Sequence, residues 1–334
     1  MSKTKVAING FGRIGRLTFR VLYNQPDVEV VAINDLTDNQ MLAYLLQFDT
    51  AQGAFKGKVK ADKNNLFVDE KAITALSQPD PEKLPWKAMG VDIVLECTGR
   101  FRDVATMSKH ITAGAKKVLL SAPGKGDIKT IVLGVNDHEL TASDTLVSNA
   151  SCTTNCLAPM VKVLNDHFGL EKGFMTTVHA YTADQKLQDA PHASDYRRAR
   201  AAAENIVPTS TGAAKAIGLV MPEMKGKLDG TAIRVPVVDG SVTELNAILS
   251  KEASVDEINA AMKKAAENEF KGILYYNEDP IVSSDILGNS YSCLFDAEFT
   301  KSMGNLVRIL GWYDNEAGYS NRLAELLTKM AHIS

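Results

Sequence analysis

Val6-Ala7-Ile8-Asn9-Gly10-Phe11-Gly12-Arg13-Ile14-Gly15 is the stretch that decides the fold. An apolar, β-branched run ends in G-x-G-x-x-G, and Ile14, Leu17, Val21 and Leu22 then follow at helical spacing over residues 13–24. Glycine triplets also arise in ordinary turns. A triplet that directly follows a strand and opens a helix is the context a dinucleotide needs. Small residues let the backbone approach a pyrophosphate, and the free N–H groups of the helix start stabilise its charge. Asp35 stands 20 positions beyond Gly15, at the end of the next β-branched run. A carboxylate there accepts hydrogen bonds from adenosine ribose hydroxyls and repels a 2′-phosphate, and bulky Leu36 beside it leaves little room for one. The cofactor expected is NAD, not NADP.

Outward from this loop the first half alternates strand and helix. Strand patterns cover 29–34, 91–95, 118–120, 131–133 and 146–148, with helical patterns at 41–48 and 103–113. Alternation of this kind predicts an α/β fold with a doubly wound, mostly parallel Rossmann-type sheet. From Cys152 the texture changes. A helix over 154–167 is followed by Val-, Thr- and Ile-rich segments at 174–181, 231–238, 242–249, 291–299 and 306–313. Helices interrupt them only at 211–220 and 255–268, which predicts an α+β catalytic domain on a largely antiparallel sheet. The expected division is 1–150 for dinucleotide binding and 151–316 for catalysis. A C-terminal helix at 317–334 carries Leu323, Leu326, Leu327 and Met330 on one stripe and packs back on the first domain.

The bulk numbers exclude several classes. At 334 residues, two domains are the natural prior. The 37 basic side chains against 40 acidic ones give a net charge of −3, which argues against nucleic acid or an anionic membrane as the primary partner. No apolar run reaches the length of a membrane span, and the opening residues lack the long apolar stretch of a leader. Cys97, Cys152, Cys156 and Cys293 have neither disulfide-framework nor zinc spacing, which fits a reducing cytoplasm. No pair of histidines or carboxylates has metal-site spacing, so no metal is expected. His110, His138, His167, His192 and His332 lack partner motifs and read as surface or satisfied side chains.

Ser148-Asn149-Ala150-Ser151-Cys152-Thr153-Thr154-Asn155-Cys156 is the most informative box. A lone cysteine is usually structural, but Cys152 falls where a strand gives way to a helix. A helix N-terminus favours the thiolate, so its pKa is expected to be lowered. His179, in Thr177-Val178-His179-Ala180-Tyr181-Thr182, is the natural basic neighbour. Cys156, one turn further, reads as a buried hydrophobe, and Cys97 and Cys293 as core.

Together with Pro208-Thr209-Ser210-Thr211-Gly212-Ala213-Ala214-Lys215, Arg234-Val235-Pro236 and Trp312-Tyr313-Asp314-Asn315-Glu316, these boxes run in the order of one family. The sequence closely resembles the phosphorylating, NAD-dependent, glycolytic glyceraldehyde-3-phosphate dehydrogenases from end to end. That resemblance implies oxidation of glyceraldehyde 3-phosphate, with inorganic phosphate as the acyl acceptor. Cys152 is then the nucleophile that forms a hemithioacetal and a thioester, and His179 is its base. Thr182 and Arg234 hold the substrate's phosphate; Ser151, Thr153, Thr211 and Gly212 hold the attacking one. One arginine of Arg197-Arg198 assists, with the register between them open. Gly10, Phe11, Gly12, Arg13, Ile14, Gly15, Asp35, Thr98, Gly99 and Ser121 serve the adenosine and pyrophosphate, and Asn315 the nicotinamide carboxamide. The segment 189–203 resembles a loop that reaches a neighbouring subunit, and the family implies a homotetramer.

Two departures mark this chain. Many relatives carry Arg or Lys shortly before Asp-Pro near the adenine, where this sequence reads Ser77-Gln78-Pro79-Asp80-Pro81; Ala317 replaces a common Trp. The nearest rival is erythrose-4-phosphate dehydrogenase, against which Thr182 and the run from Thr209 to Ala214 speak. A binding protein that had lost catalysis is a second rival, but it would be expected to lack Cys152 or His179, and both are present.

Overall fold

The computed structural model describes residues 3–333; Met1, Ser2 and Ser334, which the sequence reading assigned to the first domain and the last helix, lie outside the described residues. Two compact units emerge. The first comprises Met1–Ile131, His138–Ala150 and Ser320–Ser334, and the second Val132–Asp137 and Ser151–Tyr319.

Among the described residues, the first unit carries a nine-stranded sheet. Thr4–Asn9 lies at its centre, parallel to Val28–Asn34 on one side and to Ile93–Glu96 on the other. Beyond Ile93–Glu96 come Lys117–Leu120, Leu146–Ser148 and the two-residue strand Lys129–Thr130, all parallel. Because chain order reverses at Thr4–Asn9, a crevice opens at the carboxyl ends of the central strands, where ligands bind in folds of this type. The strand Thr4–Asn9 is buried along Val6, Ala7 and Ile8, which explains a continuous apolar run instead of an alternating one. The helix Arg13–Leu22 buries Leu17, Phe19 and Leu22. Gly15 allows the close approach of helix to loop, since a Cβ there would stand 2.2 Å from the Gly10 carbonyl oxygen. Gly10 itself takes a φ of +91°, open to glycine.

Two expectations of the sequence are corrected here. Residues 131–133 are not a strand. The chain leaves the sheet after Thr130, and Val132 N–H and Gly134 N–H donate to the side chains of Asn136 and Asp137 in a turn. The apolar residues are buried all the same, so burial without pairing produced the misreading. The Gly- and Lys-rich stretch before residue 77 contains three strands that pattern reading missed: Val59–Ala61, Asn65–Val68 and Lys71–Leu76. The first two extend the sheet edge by antiparallel pairing.

The second unit is built on an eight-stranded sheet among the described residues, ordered Val207–Ser210, Leu228–Val235, Leu170–Ala180, Ser241–Leu249, Leu306–Tyr313, Cys293–Asp296 and Leu274–Asn277, with Lys301–Met303 beside Leu306–Tyr313. Most pairs are antiparallel; Leu170–Ala180 with Leu228–Val235 is parallel and sets His179 directly beside Arg234. The expected strands at 231–238 and 291–299 stop earlier, at Val235 and Asp296, the latter passing into a short 3-10 turn at Ala297–Phe299. The helix Cys152–Phe168 lies on this sheet with Cys156, Leu157, Met160, Val161 and Leu164 fully buried. In the first unit, the stripe Leu323, Leu326, Leu327 and Met330 of the last helix is buried, and Lys117 Nζ donates to the carbonyls of Met330 and Ile333 at 3.0 Å each. No helix among the described residues is long and apolar enough to cross a membrane.

Candidate active site

The loop of the first unit has the shape a dinucleotide requires. Residue ends of four neighbouring parallel strands converge on one edge: Gly10 after Thr4–Asn9, Asp35 after Val28–Asn34, Thr98 and Gly99 after Ile93–Glu96, Ser121 after Lys117–Leu120. Gly12, which precedes the helix, and Gly99 both have open space where a Cβ would stand, so these positions form a cradle for phosphate. The Asp35 carboxylate accepts the Phe11 N–H at 2.7 Å and the Thr37 N–H at 3.0 Å, which ties it to the glycine loop. Phe11 turns its ring into the core against Phe19, and Arg13 reaches Asp49 at 3.1 Å. Ile14 is half-buried on the first turn of the helix. Gln78, one of the departures, contributes backbone: its N–H and carbonyl both bond the Asn34 amide. NAD fits this edge.

In the second unit, Ser151 caps the helix Cys152–Phe168 by accepting the Thr154 N–H, and Cys152 is the first helical residue. Ala150, just before the cap, takes a φ of +55°, a strained conformation for a residue with a side chain. The Cys152 sulfur lies 3.6 Å from His179 Nε2. His179 Nδ1 lies 2.7 Å from the Ala180 carbonyl, which can only accept, so Nδ1 carries a proton and, in the neutral ring, Nε2 presents its lone pair to the sulfur. Tyr313 meets the imidazole edge-on, with ring centroids 5.9 Å apart. Its hydroxyl joins Thr153 and Thr177, each at 2.8 Å.

One expectation is overturned by the electrostatics. Burial pushes the Cys152 thiol up, against the opposing pull of Arg234 and Thr153. Burial, then Arg234, pushes His179 down to about 4. Burial thus pulls both groups toward their neutral forms. The helix start and Arg234 act the other way on the sulfur and stabilise negative charge there. Cys97 is pushed up to about 12 and Cys156 well above its ordinary value, both chiefly by burial. Cys156 and Cys293 are buried; Cys97, expected in the core, is only partly buried, as is Cys152, but Cys152 lies beside a base. Iodoacetamide at neutral pH is thus expected to label Cys152 first, as read by peptide mass spectrometry over time. Equal rates at all four sulfurs would refute activation by His179.

Anion-binding groups surround the pair. Arg234 Nη1 donates to the Thr182 hydroxyl at 2.6 Å and to the Ala180 carbonyl at 3.3 Å, and its buried Nε has no hydrogen-bond partner. Arg198 pairs with Asp184 at 2.6 Å and bonds Thr209 and the Ser210 carbonyl. Arg197 is exposed and reaches only the Pro208 carbonyl. Asp184 also receives the Thr182 hydroxyl and lies 3.9 Å from Arg234. Burial alone would raise Asp184, but Thr182, Arg234 and Arg198 together hold it below the usual carboxylate range. Thr211 accepts the Ala213 N–H at the start of the helix Ala213–Val220, Gly212 caps that helix with open space at its Cβ, and Thr154 of the Cys152 helix bonds the Ala213 carbonyl at 3.5 Å. Asn315 accepts the Ser241 hydroxyl on Oδ1 at 2.6 Å, leaving its amide nitrogen to donate. Buried Asp239 is pushed up to about 9 by burial and by Asp314 and Glu316. Sequence reading missed Asp184, Thr177, Tyr313 and Asp239 as site residues: strand register brings Thr177 and Tyr313 there, and the loops after the strands Leu170–Ala180 and Leu228–Val235 bring Asp184 and Asp239. Among the described residues no group of side chains could hold a metal ion.

A doubly wound sheet with a dinucleotide cradle, carried on one chain with a thiol–imidazole pair among anion donors, defines a nicotinamide-dinucleotide-dependent dehydrogenase. Residues 4–104 match the glyceraldehyde 3-phosphate dehydrogenase NAD binding domain, and residues 151–315 match the C-terminal domain of the same family. The chain is 55% identical to a glyceraldehyde-3-phosphate dehydrogenase of Clostridium pasteurianum over 99% of both chains. It is 56% identical to glyceraldehyde-3-phosphate dehydrogenase 1 of Bacillus subtilis over 98% of both. The chain belongs to the glyceraldehyde-3-phosphate dehydrogenase family and is an NAD-dependent dehydrogenase.

Proposed function

We propose that this enzyme converts D-glyceraldehyde 3-phosphate, with NAD+ and inorganic phosphate, to 1,3-bisphosphoglycerate through a hemithioacetal and a thioester on Cys152. The observation that carries the reading is the Cys152 sulfur at a helix start, 3.6 Å from the lone-pair nitrogen of His179. Gly10, Phe11, Gly12, Arg13, Ile14, Gly15, Asp35, Thr98, Gly99 and Ser121 are assigned to the adenosine and pyrophosphate, and Asn315 to the carboxamide. NAD+, when bound, supplies the acceptor for one hydride.

The remaining chemistry belongs to the chain. His179 Nε2 takes the thiol proton as sulfur adds to the aldehyde carbon, and returns it to the oxygen to complete the hemithioacetal. As the carbon-bound hydride departs, the same nitrogen takes the hydroxyl proton and an acyl thioester remains on Cys152. Phosphate then attacks the acyl carbon, the carbon–sulfur bond breaks, and the imidazolium reprotonates sulfur. Thr182 and Arg234 hold the substrate's phosphate, a role supported by the bond that already joins the guanidinium to that hydroxyl. Ser151, Thr153, Thr211 and Gly212, at two adjoining helix starts, hold the attacking phosphate. Arg198, which shares Asp184 with Arg234, is the assisting arginine, in preference to exposed Arg197.

A steady-state assay with phosphate present and absent, both nicotinamide cofactors and both aldehydes tests the reading. Fast turnover is expected only with glyceraldehyde 3-phosphate, NAD+ and phosphate together. Preference for erythrose 4-phosphate, or indifference to phosphate, would overturn it. Asp35→Ala is expected to raise KM for NAD+ by about tenfold, since the carboxylate both meets the ribose and holds the Phe11 N–H. It should also narrow the preference over NADP+; unchanged discrimination would remove Asp35 from that role. We also propose a homotetramer in the cytoplasm. In the second unit Phe174, Leu187, Tyr196 and Ile206 are each at least 70% exposed, large apolar side chains of the kind that subunit contacts cover, and four free cysteines suit a reducing compartment. Light scattering on the purified protein checks the subunit count.

A further inference from the structure

Beneath the glycine loop, wholly within the first unit, runs a chain of buried polar groups to which the proposed chemistry gives no part. Glu96 ends the strand Ile93–Glu96 with no exposed surface. Its Oε1 accepts the Thr98 N–H at 2.7 Å and the Thr98 hydroxyl at 2.5 Å. Its Oε2 accepts Asn9 Nδ2 at 2.6 Å and lies 3.1 Å from His110 Nε2. Asn9 Oδ1 takes Asn34 Nδ2 at 2.7 Å, and Asn34 grips the N–H and the carbonyl of Gln78 at 2.8 and 2.9 Å. On the far side, Trp86 Nε1 donates to His110 Nδ1 at 3.0 Å.

Donor directions in this chain are set by groups that cannot reverse. An indole nitrogen only donates, so His110 Nδ1 accepts, its proton sits on Nε2, and Nε2 donates to Glu96. A backbone N–H likewise only donates, which fixes the Thr98 side. Glu96 thus stands between donors on both flanks, where an acceptor-only group is required. A glutamine of the same shape would turn its own N–H2 toward a donor in either orientation. No lysine or arginine among the described residues pairs with this carboxylate. A buried charge without a cation costs stability, and a core that needed only filling would use an apolar side chain. The three arms of the chain end at three loops of the carboxyl edge: residues 10–12 after Asn9, residues 78–80 beyond Asn34, and residues 98–99.

We propose that Glu96 is a positioning residue for the dinucleotide, fixing Thr98 directly and the other two loops through Asn9 and Asn34. This rests on the dinucleotide reading of the glycine loop and adds to it the group that holds that loop in binding geometry.

The test is calorimetric binding of ADP-ribose and of NAD+ to the full-length protein and to Glu96→Gln, with thermal melting alongside. Glu96→Gln is expected to raise the Kd for both ligands by about tenfold. KM for NAD+ should rise in step while KM for the aldehyde holds. A lowered melting temperature with an unchanged Kd would make Glu96 a structural residue only and overturn the proposal. Should Glu96→Gln fail to fold, Asn34→Leu cuts the same chain between Asn9 and Gln78 without touching a residue assigned to the cofactor. It is expected to weaken ADP-ribose binding about threefold, and unchanged binding overturns the proposal. Wild-type protein that does not bind ADP-ribose would instead sink the dinucleotide reading itself, and this proposal with it.

Discussion

Cys152→Ser is expected to lower aldehyde oxidation by at least about four orders of magnitude while leaving the fold and NAD+ binding intact. The substitution changes one atom at the first position of the helix Cys152–Phe168, whose cap is the Ser151 hydroxyl and not the thiol. Packing of the helix is therefore preserved. A serine hydroxyl ionises far less readily than a thiol, and His179, pushed down to about 4, is too weak a base to compensate. Sulfur suits this site for that reason: even a thiol raised by burial can pass its proton to a weakly basic imidazole when the helix start and Arg234 stabilise the product charge. An oxygen ester, once formed, would also be a poorer acyl donor to phosphate than a thioester. Steady-state rates for the variant, with circular dichroism and NAD+ calorimetry as controls, decide the matter. Turnover within tenfold of the wild type would mean that the covalent step does not pass through this sulfur.

What could be read from the sequence follows how local the determining physics is. The glycine loop, its strand and its helix are fixed by contiguous residues, and Gly15 makes room for the nearby Gly10 carbonyl, whereas Gly10 makes room for the distant backbone of Cys97 and Thr98. Asp35 was legible for the same reason, as the end of the next strand. Cys152 could be placed at a helix start because Ser151 is a good cap and the apolar spacing begins beyond it. Its meeting with His179 spans 27 positions, and no local rule predicts it; the residues quoted from the family's boxes did. Asp184, Tyr313 and Glu96 had no such signal. Each acts only once strand register or a buried hydrogen-bond chain has delivered a partner from far along the sequence, such as Arg234 to Asp184 or His110 to Glu96. The strands Val59–Ala61 and Asn65–Val68 were missed for a different reason. They pair at a sheet edge, where few buried side chains are needed, and the turn between them is organised by Asp62, which accepts the N–H groups of Asn64 and Asn65.

His179→Asn is expected to cost about two to four orders of magnitude in turnover and to change how stability depends on pH. The imidazole is held by a 2.7 Å bond from Nδ1 to the Ala180 carbonyl, which aims Nε2 at sulfur. Asparagine can keep a donor toward Ala180, but it has no basic nitrogen to accept the thiol or hydroxyl proton. In the wild type, burial and Arg234 depress His179 to about 4, below the value of roughly 6.5 for an unfolded histidine. Between these values the unfolded chain binds the extra proton and the native chain does not, so native stability rises with pH across that window. The contribution is fully present above the unfolded value and is lost as pH falls toward about 4. Asparagine does not titrate, so the variant lacks this slope. The wild type should lose melting temperature relative to His179→Asn as the buffer moves from about pH 7.5 to about pH 4.5. The kinetic and thermal readouts are independent. A variant that keeps near-normal turnover removes His179 as the base, whereas a temperature difference that stays constant with pH shows that the imidazole is not held neutral by burial.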